Sequence, residues 1–210
     1  MNFRSLLNWF PARRGCTPAH TAQCMVGVNE YHRALSDSEI AEGVHRQLVG
    51  GMWEEIGQLQ LRFLLSQGLK PAHALVDVGC GALRGGVHLV RFLAPRRYFG
   101  LDINASLIRA GGKELEDAGL AAKQPRLLVN DKFELFRFGQ RFDFGIAVSL
   151  FTHLRHLRQE HIARCLSEMR KVMHSKSRYY CSYFEAPTPV HRTPVYHTPG
   201  DVTTYYDADP

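Results

Sequence analysis

The chain lacks any hydrophobic run near the roughly 18 residues that a membrane-spanning helix needs, so nothing in its 210 residues reads as a transmembrane segment. Cysteine is sparse. Cys16, Cys24, Cys80, Cys165 and Cys181 are scattered, odd in number and without a Cys-x-x-Cys pair. That pattern argues against a disulfide framework or a cysteine-based zinc site and fits reduced thiols in a cytoplasmic protein. Internal repeats and low-complexity tracts are missing, which argues against a solenoid. Acidic residues are absent from positions 1–29, where Phe3, Leu6, Leu7 and Phe10 share one helical face beside Arg4. Such a stretch reads as a loosely ordered arm, or as an interfacial or transit-type segment. Asn8 and Pro11 interrupt it too early for a secretory signal.

The chain is 45% hydrophobic, enough to bury one substantial core with at most a small cap. A net charge of +6 permits acidic partners. The Lys and Arg residues are dispersed rather than gathered in one block, so nucleic acid is disfavoured.

The most informative stretch is Ala74-Leu75-Val76-Asp77-Val78-Gly79-Cys80-Gly81-Ala82-Leu83-Arg84-Gly85-Gly86. Its apolar run predicts a buried parallel strand with an acid inside it. The strand leads into a glycine turn and then into helical spacing from Val87 to Leu93. Strand, glycine turn and helix in that order build a nucleotide site at the carboxyl end of a first strand. Gly79 and Gly81 have no Cβ, so the backbone there can turn sharply and approach a ligand. A dinucleotide fingerprint would place its third glycine at position 84, where this chain has Arg84. That disfavours a nicotinamide-dependent oxidoreductase.

Three further strands end in matching chemistry. Arg97 to Asn104 carries Asp102, Arg126 to Asp131 ends in an acid, and Phe142 to Ser149 runs into Leu150-Phe151-Thr152-His153-Leu154. The pattern Asp77-x-Gly79-x-Gly81-x-x-x-Gly85, with these strand ends, resembles class I S-adenosylmethionine-dependent methyltransferases over roughly Met52 to Glu185. The resemblance implies an α/β, Rossmann-like, doubly wound and mostly parallel sheet with helices on both faces. It implies S-adenosyl-L-methionine as cofactor, held by Asp77, Gly79, Cys80 and Gly81 of the turn, Asp102 and Ile103, Asp131 and Lys132, and Ser149. In that reading Asp102 receives two ribose hydroxyls, as a carboxylate can. Asp131 accepts from the adenine amino group and the Lys132 N–H faces the ring edge.

Methyl transfer from a sulfonium needs mainly positioning, so few obligatory catalytic side chains are expected. His153 and Glu185 are the candidate bases. His153 reads equally as a local packing residue where the next helix begins, with Thr152 as its cap. Trp53 and Phe151 are candidates for cation–π contact with the sulfonium. Arg84 would hold a carboxylate or stand in solvent. His153, His156 and His161 do not share one helix face, and no cysteine or acid completes a set, so no metal is expected.

Ser149-Leu150-Phe151-Thr152 replaces the Asn/Asp-Pro-Pro-Tyr/Phe of amino-methylating enzymes acting on DNA bases or glutamine, and no Pro-Cys pair supplies a cytosine nucleophile. An oxygen or nitrogen nucleophile on a small-molecule, lipid or protein acceptor remains. The competing reading is a catalytically weak S-adenosylmethionine-binding regulatory protein.

Along the chain, Ser36-Asp37-Ser38-Glu39 is a capping box that predicts a helix to about Leu48, and Met52 to Gln67 predicts a second. Arg158 to Met173 predicts a later helix and Arg178 to Phe184 a fifth parallel strand. The expected units are an arm over 1–35, leading helices over 36–70 that cap the site, a core over 71–186 and a proline-rich tail over 187–210. Pro187, Pro189, Pro194, Pro199 and Pro210 punctuate that tail. Prolines at this density cannot continue a central ladder. The family's carboxyl-terminal strand pair is therefore expected to be incomplete, with Val202 to Tyr206 making at most one short strand. The fifth strand would then be an edge covered by the tail or by a second copy.

Overall fold

Leu75, Val76 and Val78 have no exposed surface at all, and a strand apolar on both faces demands cover on both. The computed structural model, which describes residues 33–153, 159–182, 184–185 and 205–206, supplies that cover. In chain order its elements are α1 (Asp37–Ala41), α2 (Val44–Leu48), α3 (Trp53–Ser66), β1 (Leu75–Val78), α4 (Gly86–Phe92), β2 (Tyr98–Asp102), α5 (Ala105–Asp117), β3 (Arg126–Val129), β4 (Phe142–Ala147), α6 (Leu150–His153), α7 (Gln159–Val172), β5 (Met173–Cys181), β6 (Phe184–Glu185) and β7 (Tyr205–Tyr206).

Five strands form one all-parallel sheet in the order β3-β2-β1-β4-β5. Leaving β1, the chain first builds outward through β2 and β3, then returns to add β4 and β5 on the other side. That reversal opens a crevice at the carboxyl ends of β1 and β4. Alternate residues feed the two faces. Leu75 and Tyr98 join Leu64, Val87, Leu89 and Leu115 from α3, α4 and α5. Val76, Val78, Phe99 and Leu101 join Cys165, Met169 and Val172 of α7, with Leu135 and Phe138 of a short 3-10 turn. The rings of Phe99, Phe138 and Phe142 pack edge to face at 5.3–6.0 Å.

The leading helices lie over the start of the glycine turn. Leu35, Ile40 and Leu48 pack with Ala82 of the turn and with Leu107 and Ala110 of α5. Polar contacts fix them as well. Glu114 on α5 accepts from His45 Nε2 at 2.7 Å and from both Arg46 Nε and Nη2 at 2.7 and 2.8 Å. Burial raises the Glu114 carboxyl, but the Arg46 and His45 bonds outweigh it and hold it below the ordinary range.

Two expectations are corrected. The capping box forms as read, with Ser36 Oγ accepting from Glu39 N. The single helix expected to Leu48 is nonetheless broken by Gly43, whose φ of +79° starts α2 on a new axis. The fifth strand starts earlier than expected, at Met173, because an irregular stretch between the Phe142↔Met173 and Phe144↔Arg178 pairings loops outward. Ser177 Oγ donates to Phe142 O across it. In the tail, Tyr205–Tyr206 pairs in parallel with Phe184–Glu185, apart from the main sheet. Among the described residues β5 is bonded only to β4. No described helix is long and apolar enough to cross a membrane.

Candidate active site

The glycine turn leaves β1 with φ of +75° at Gly79 and +54° at Gly81, values that cost an L side chain about 1–2 kcal/mol. Space forbids side chains there as well. A Cβ on Gly79 would stand 2.9 Å from Leu150 Cδ1, so the turn lies in contact with the chain leaving β4. Gly79 and Cys80 N–H both donate to Leu101 O, at 2.8 and 3.1 Å. Gly81 N–H donates to Asp102 Oδ2 at 2.9 Å, while Asp102 Oδ1 accepts from Asn104 N–H at 2.8 Å. One carboxylate thus braces the turn and the start of α5, where Asn104 is the N-cap.

Beneath the turn, Asp77 is 5% exposed and accepts from Tyr98 Oη at 2.8 Å. Burial raises its carboxyl to about 7. The Tyr98 hydroxyl offsets part of the shift and the Asp102 charge adds to it. Tyr98 Oη reaches Asp77 only because Gly86 has no side chain: a Cβ there would come within 2.6 Å of that oxygen.

At the end of β3, Asn130 is buried and folds the following residues around itself. Its Oδ1 accepts from Lys132 N and Glu134 N, both at 3.0 Å. This turn presents Asp131 and Phe133 to the cavity. At the end of β4, Ser149 has a φ of +60° and donates its N–H to Ser182 Oγ at 2.6 Å.

Together these loops enclose one cavity of about 290 Å³. Asp77, Gly79, Cys80, Gly81, Asp102, Ile103, Asp131 and Ser149, all singled out from the sequence, line it. Three carboxyl groups and one guanidinium, Arg84, border the space, which favours a cationic or zwitterionic ligand. Lys132 is not among the lining residues. Its N–H, expected at an adenine edge, donates instead to Asn130 Oδ1. His153 ends α6 and Glu185 ends β6, but both side chains lie outside the described residues.

Two aromatic expectations are overturned. Trp53 packs edge to face on His45, with Arg46 stacked 5.2 Å over its ring, and takes no part in the cavity. Phe151 is 2% exposed and belongs to the core beneath α7. Arg84 takes a role not foreseen: its Nη1 donates to Val49 O and Gly51 O, at 2.9 and 3.1 Å. It thereby anchors the Val49–Met52 connector, in which Gly50, Gly51 and Met52 all have positive φ. Val49 is drawn onto the glycine turn, where its Cγ1 would lie 3.3 Å from a Cβ on Gly81.

Sequence reading missed Val49, Gln60, Leu107, Asn130 and Phe133 as wall residues and set His161 aside as a surface or pocket histidine. Asn130, directly before Asp131 with Glu134 beyond it, was a legible turn signal. The others have no local signature.

A family model described as "Methyltransferase domain" matches residues 75–176. The fold is similar to that of a S-adenosylmethionine-dependent methyltransferase from Clostridium acetobutylicum ATCC 824, at 11% identity and a TM-score of 0.54, covering 69% of this chain and 57% of that one. It is also similar to the glycopeptide N-methyltransferase MtfA complexed with S-adenosyl-L-methionine, at 15% identity and a TM-score of 0.52, covering 62% and 56%. Magnesium protoporphyrin IX methyltransferase (ChlM) from Synechocystis PCC 6803 with bound SAH matches at 17% identity and a TM-score of 0.47, covering 57% and 51%. The chain thus spans little more than half the length of each of these proteins. The fold and its cavity define a Rossmann-like α/β protein with its site at the carboxyl ends of the strands. Residues 75–176 match the methyltransferase domain, and the chain resembles class I S-adenosylmethionine-dependent methyltransferases in fold.

Proposed function

We infer that the chain binds S-adenosylmethionine in this cavity and transfers its methyl group to an oxygen or nitrogen nucleophile on a small-molecule, lipid or protein acceptor. The observation that carries this reading is the arrival of Asp102 and Asp131, from adjoining strands, at the same cavity as the glycine turn. Each Asp102 oxygen accepts one backbone N–H, and a carboxylate is the group that can accept from two neighbouring hydroxyls of a ribose side by side. Ile103, 51% exposed at the cavity edge, and Phe133 offer apolar walls for a flat base near Asp131. Asp77 suits an α-ammonium group and Arg84 the carboxylate beside it. The volume is at the lower end of the roughly 300–1,000 Å³ of small-molecule sites.

S-adenosylmethionine supplies an already activated methyl group on a positively charged sulfur. The protein's part is to orient it, present the acceptor in line and exclude water. Calorimetric titration with S-adenosylmethionine, S-adenosylhomocysteine and NAD tests the reading. Binding of the first two without the third is expected, followed by transfer of label from methyl-labelled donor to a component of a cell extract. Binding of NAD alone would overturn it. Donor binding with no transfer would make the chain a regulatory binder rather than an enzyme.

A further inference from the structure

We propose that the edge of the molecule opposite the cavity, where the parallel strands begin, is a docking face for an anionic phospholipid surface. The five strands of the sheet all run the same way. The connectors into β1 to β4 and the irregular start of β5 therefore share one edge. These stretches, residues 67–74, 93–97, 118–125, 139–141 and 173–177, contain no Asp or Glu. Each carries Lys or Arg instead. In the spatial order of the strands, Lys123 precedes β3, Arg96 and Arg97 precede β2, Lys70 precedes β1, Arg141 precedes β4 and Lys176 lies at the start of β5. All but the half-buried Lys123 are exposed.

Hydrogen bonds join neighbouring stretches into one surface. Arg96 N–H donates to Lys123 O at 2.7 Å, Ala94 N–H to Pro71 O at 2.8 Å and Asp143 N–H to Ala74 O at 2.9 Å. Arg141 Nη1 donates to Met173 O at 3.4 Å. With neighbouring strands about 4.8 Å apart, the row is roughly 19 Å long. Charge also spreads across the face, since Arg91 in the last turn of α4 and Arg170 in the last turn of α7 flank the sheet on its two sides. Both complement helix carbonyl ends as well. The acids near this edge are mostly engaged: Asp117 pairs with Lys113, Glu168 pairs with Lys171, and Asp143 accepts from Ala74 N–H. Glu116, beside Asp117, is outnumbered by the row.

Shape selects the partner. The stretches are short, and Pro71, Pro95 and Pro125 stiffen three of them. None holds a hairpin, or a helix longer than one 3-10 turn, that could enter a nucleic-acid groove. None contains Phe, Tyr or Trp, so unpaired bases find no stacking platform. A broad array of cations matches instead the broad array of phosphates and carboxylates on an anionic bilayer, where each Lys or Arg is worth about fivefold in partitioning. Docked this way, the protein turns its cavity, about 13–20 Å away along the strands, towards water. Asp77, Asp102 and Asp131 at that end oppose the reverse orientation. This docking does not depend on what the cavity binds.

Co-sedimentation of the full chain with vesicles provides the test. Binding is expected to vesicles of equal parts phosphatidylserine and phosphatidylcholine, weakening as salt rises, and not to phosphatidylcholine alone. Arg97→Gln with Lys176→Gln removes two exposed charges from the face and should weaken binding about 25-fold. Lys132→Gln with Arg109→Gln removes the same charge towards the opposite edge, more than a Debye length away, and should change binding by less than about twofold. Thermal unfolding checks that each pair folds, and Lys70→Gln with Arg91→Gln replaces the first pair if it does not. Equal losses in the two pairs would make net charge rather than this face the cause, and would overturn the proposal. Failure to bind the phosphatidylserine vesicles would overturn it as well, as would binding of duplex RNA in their place.

Discussion

Replacing Asp102 separates the backbone brace seen in the structure from the ribose contact proposed for the same carboxylate. In the free protein it accepts from Gly81 N–H and Asn104 N–H, so Asp102→Ala leaves two backbone donors without their charged partner. Hydrogen bonds to a charged group contribute about 1.5–3 kcal/mol each when buried. Asp102 is partly exposed and water can replace it in part, so a total loss of about 1.5–3 kcal/mol is expected rather than twice that. For a chain of this size that corresponds to about 3–12 °C in Tm. Binding should suffer separately, since two ribose hydroxyls lose their acceptor. A further ~1.5–3 kcal/mol corresponds to roughly 10–150-fold weaker affinity for S-adenosylmethionine. Asp102→Asn sharpens the test. It keeps one acceptor oxygen but turns an amide donor towards a backbone donor, so it should recover little stability and little affinity. Thermal unfolding without ligand reads the brace, and calorimetry with S-adenosylhomocysteine reads the ribose contact. Unchanged affinity in Asp102→Ala would refute the ribose assignment. An unchanged Tm would refute the brace.

Protonation of Asp77 should couple cofactor binding to pH. Its carboxyl titrates at about 7 in the free protein, and an ammonium group beside it would favour the ionised form. Affinity for S-adenosylmethionine should therefore rise with pH below about 7, by at most tenfold per pH unit, and flatten above it. Asp77→Asn should abolish that dependence in calorimetry. For folding the sign is opposite: a raised carboxyl pKa gives stability that is complete below the unfolded value near 4 and lost as pH rises through about 7. Denaturant unfolding at pH 5 and 8 should show Asp77→Asn flattening that decline. Gly57→Ala should destabilise by about 1–3 kcal/mol in the same assay, because its Cβ would lie 2.4 Å from Arg84 O and 2.5 Å from His88 Cδ2. Gly112→Ala, with nothing within 4 Å of the new atom, should instead stabilise α5 by about 0.5–1 kcal/mol. Glu114→Ala should cost about 1–3 kcal/mol by leaving the buried His45 without its carboxylate, the half-exposed Arg46 being re-solvated in part, with faster protease cleavage between α1 and α3 as its local readout.

The strands and the glycine turn were legible because parallel strands buried on both faces need unbroken apolar runs, and Gly79 and Gly81 adopt conformations that other residues resist. Asp102 and Asp131 were legible from the same pattern: Asp102 directly follows an apolar run and Asp131 follows one after Asn130, so the strand's end fixes the place of each. Gly43 was less visible. Gly43 within Asp37–Leu48 can be carried by a helix or can break it, and packing on α5 through His45, Arg46 and Glu114 favours the break. Arg84 was visible as an anomaly in the glycine pattern, but its partners are carbonyls some thirty-five residues earlier in the chain.

The sequence by itself determined the order of the elements and the chemistry at each strand end, since backbone conformation and apolar periodicity are local properties. Which side chains share the cavity was decided only in three dimensions. Val49 came from a connector, Phe133 from a turn built on Asn130, and His161 from the first turn of a helix beyond β4, while Trp53 was diverted to Arg46 and Phe151 to the core. Those outcomes depend on how separate helices dock on the two faces of one sheet, and docking is set by shape and charge between residues that no short stretch of sequence contains together.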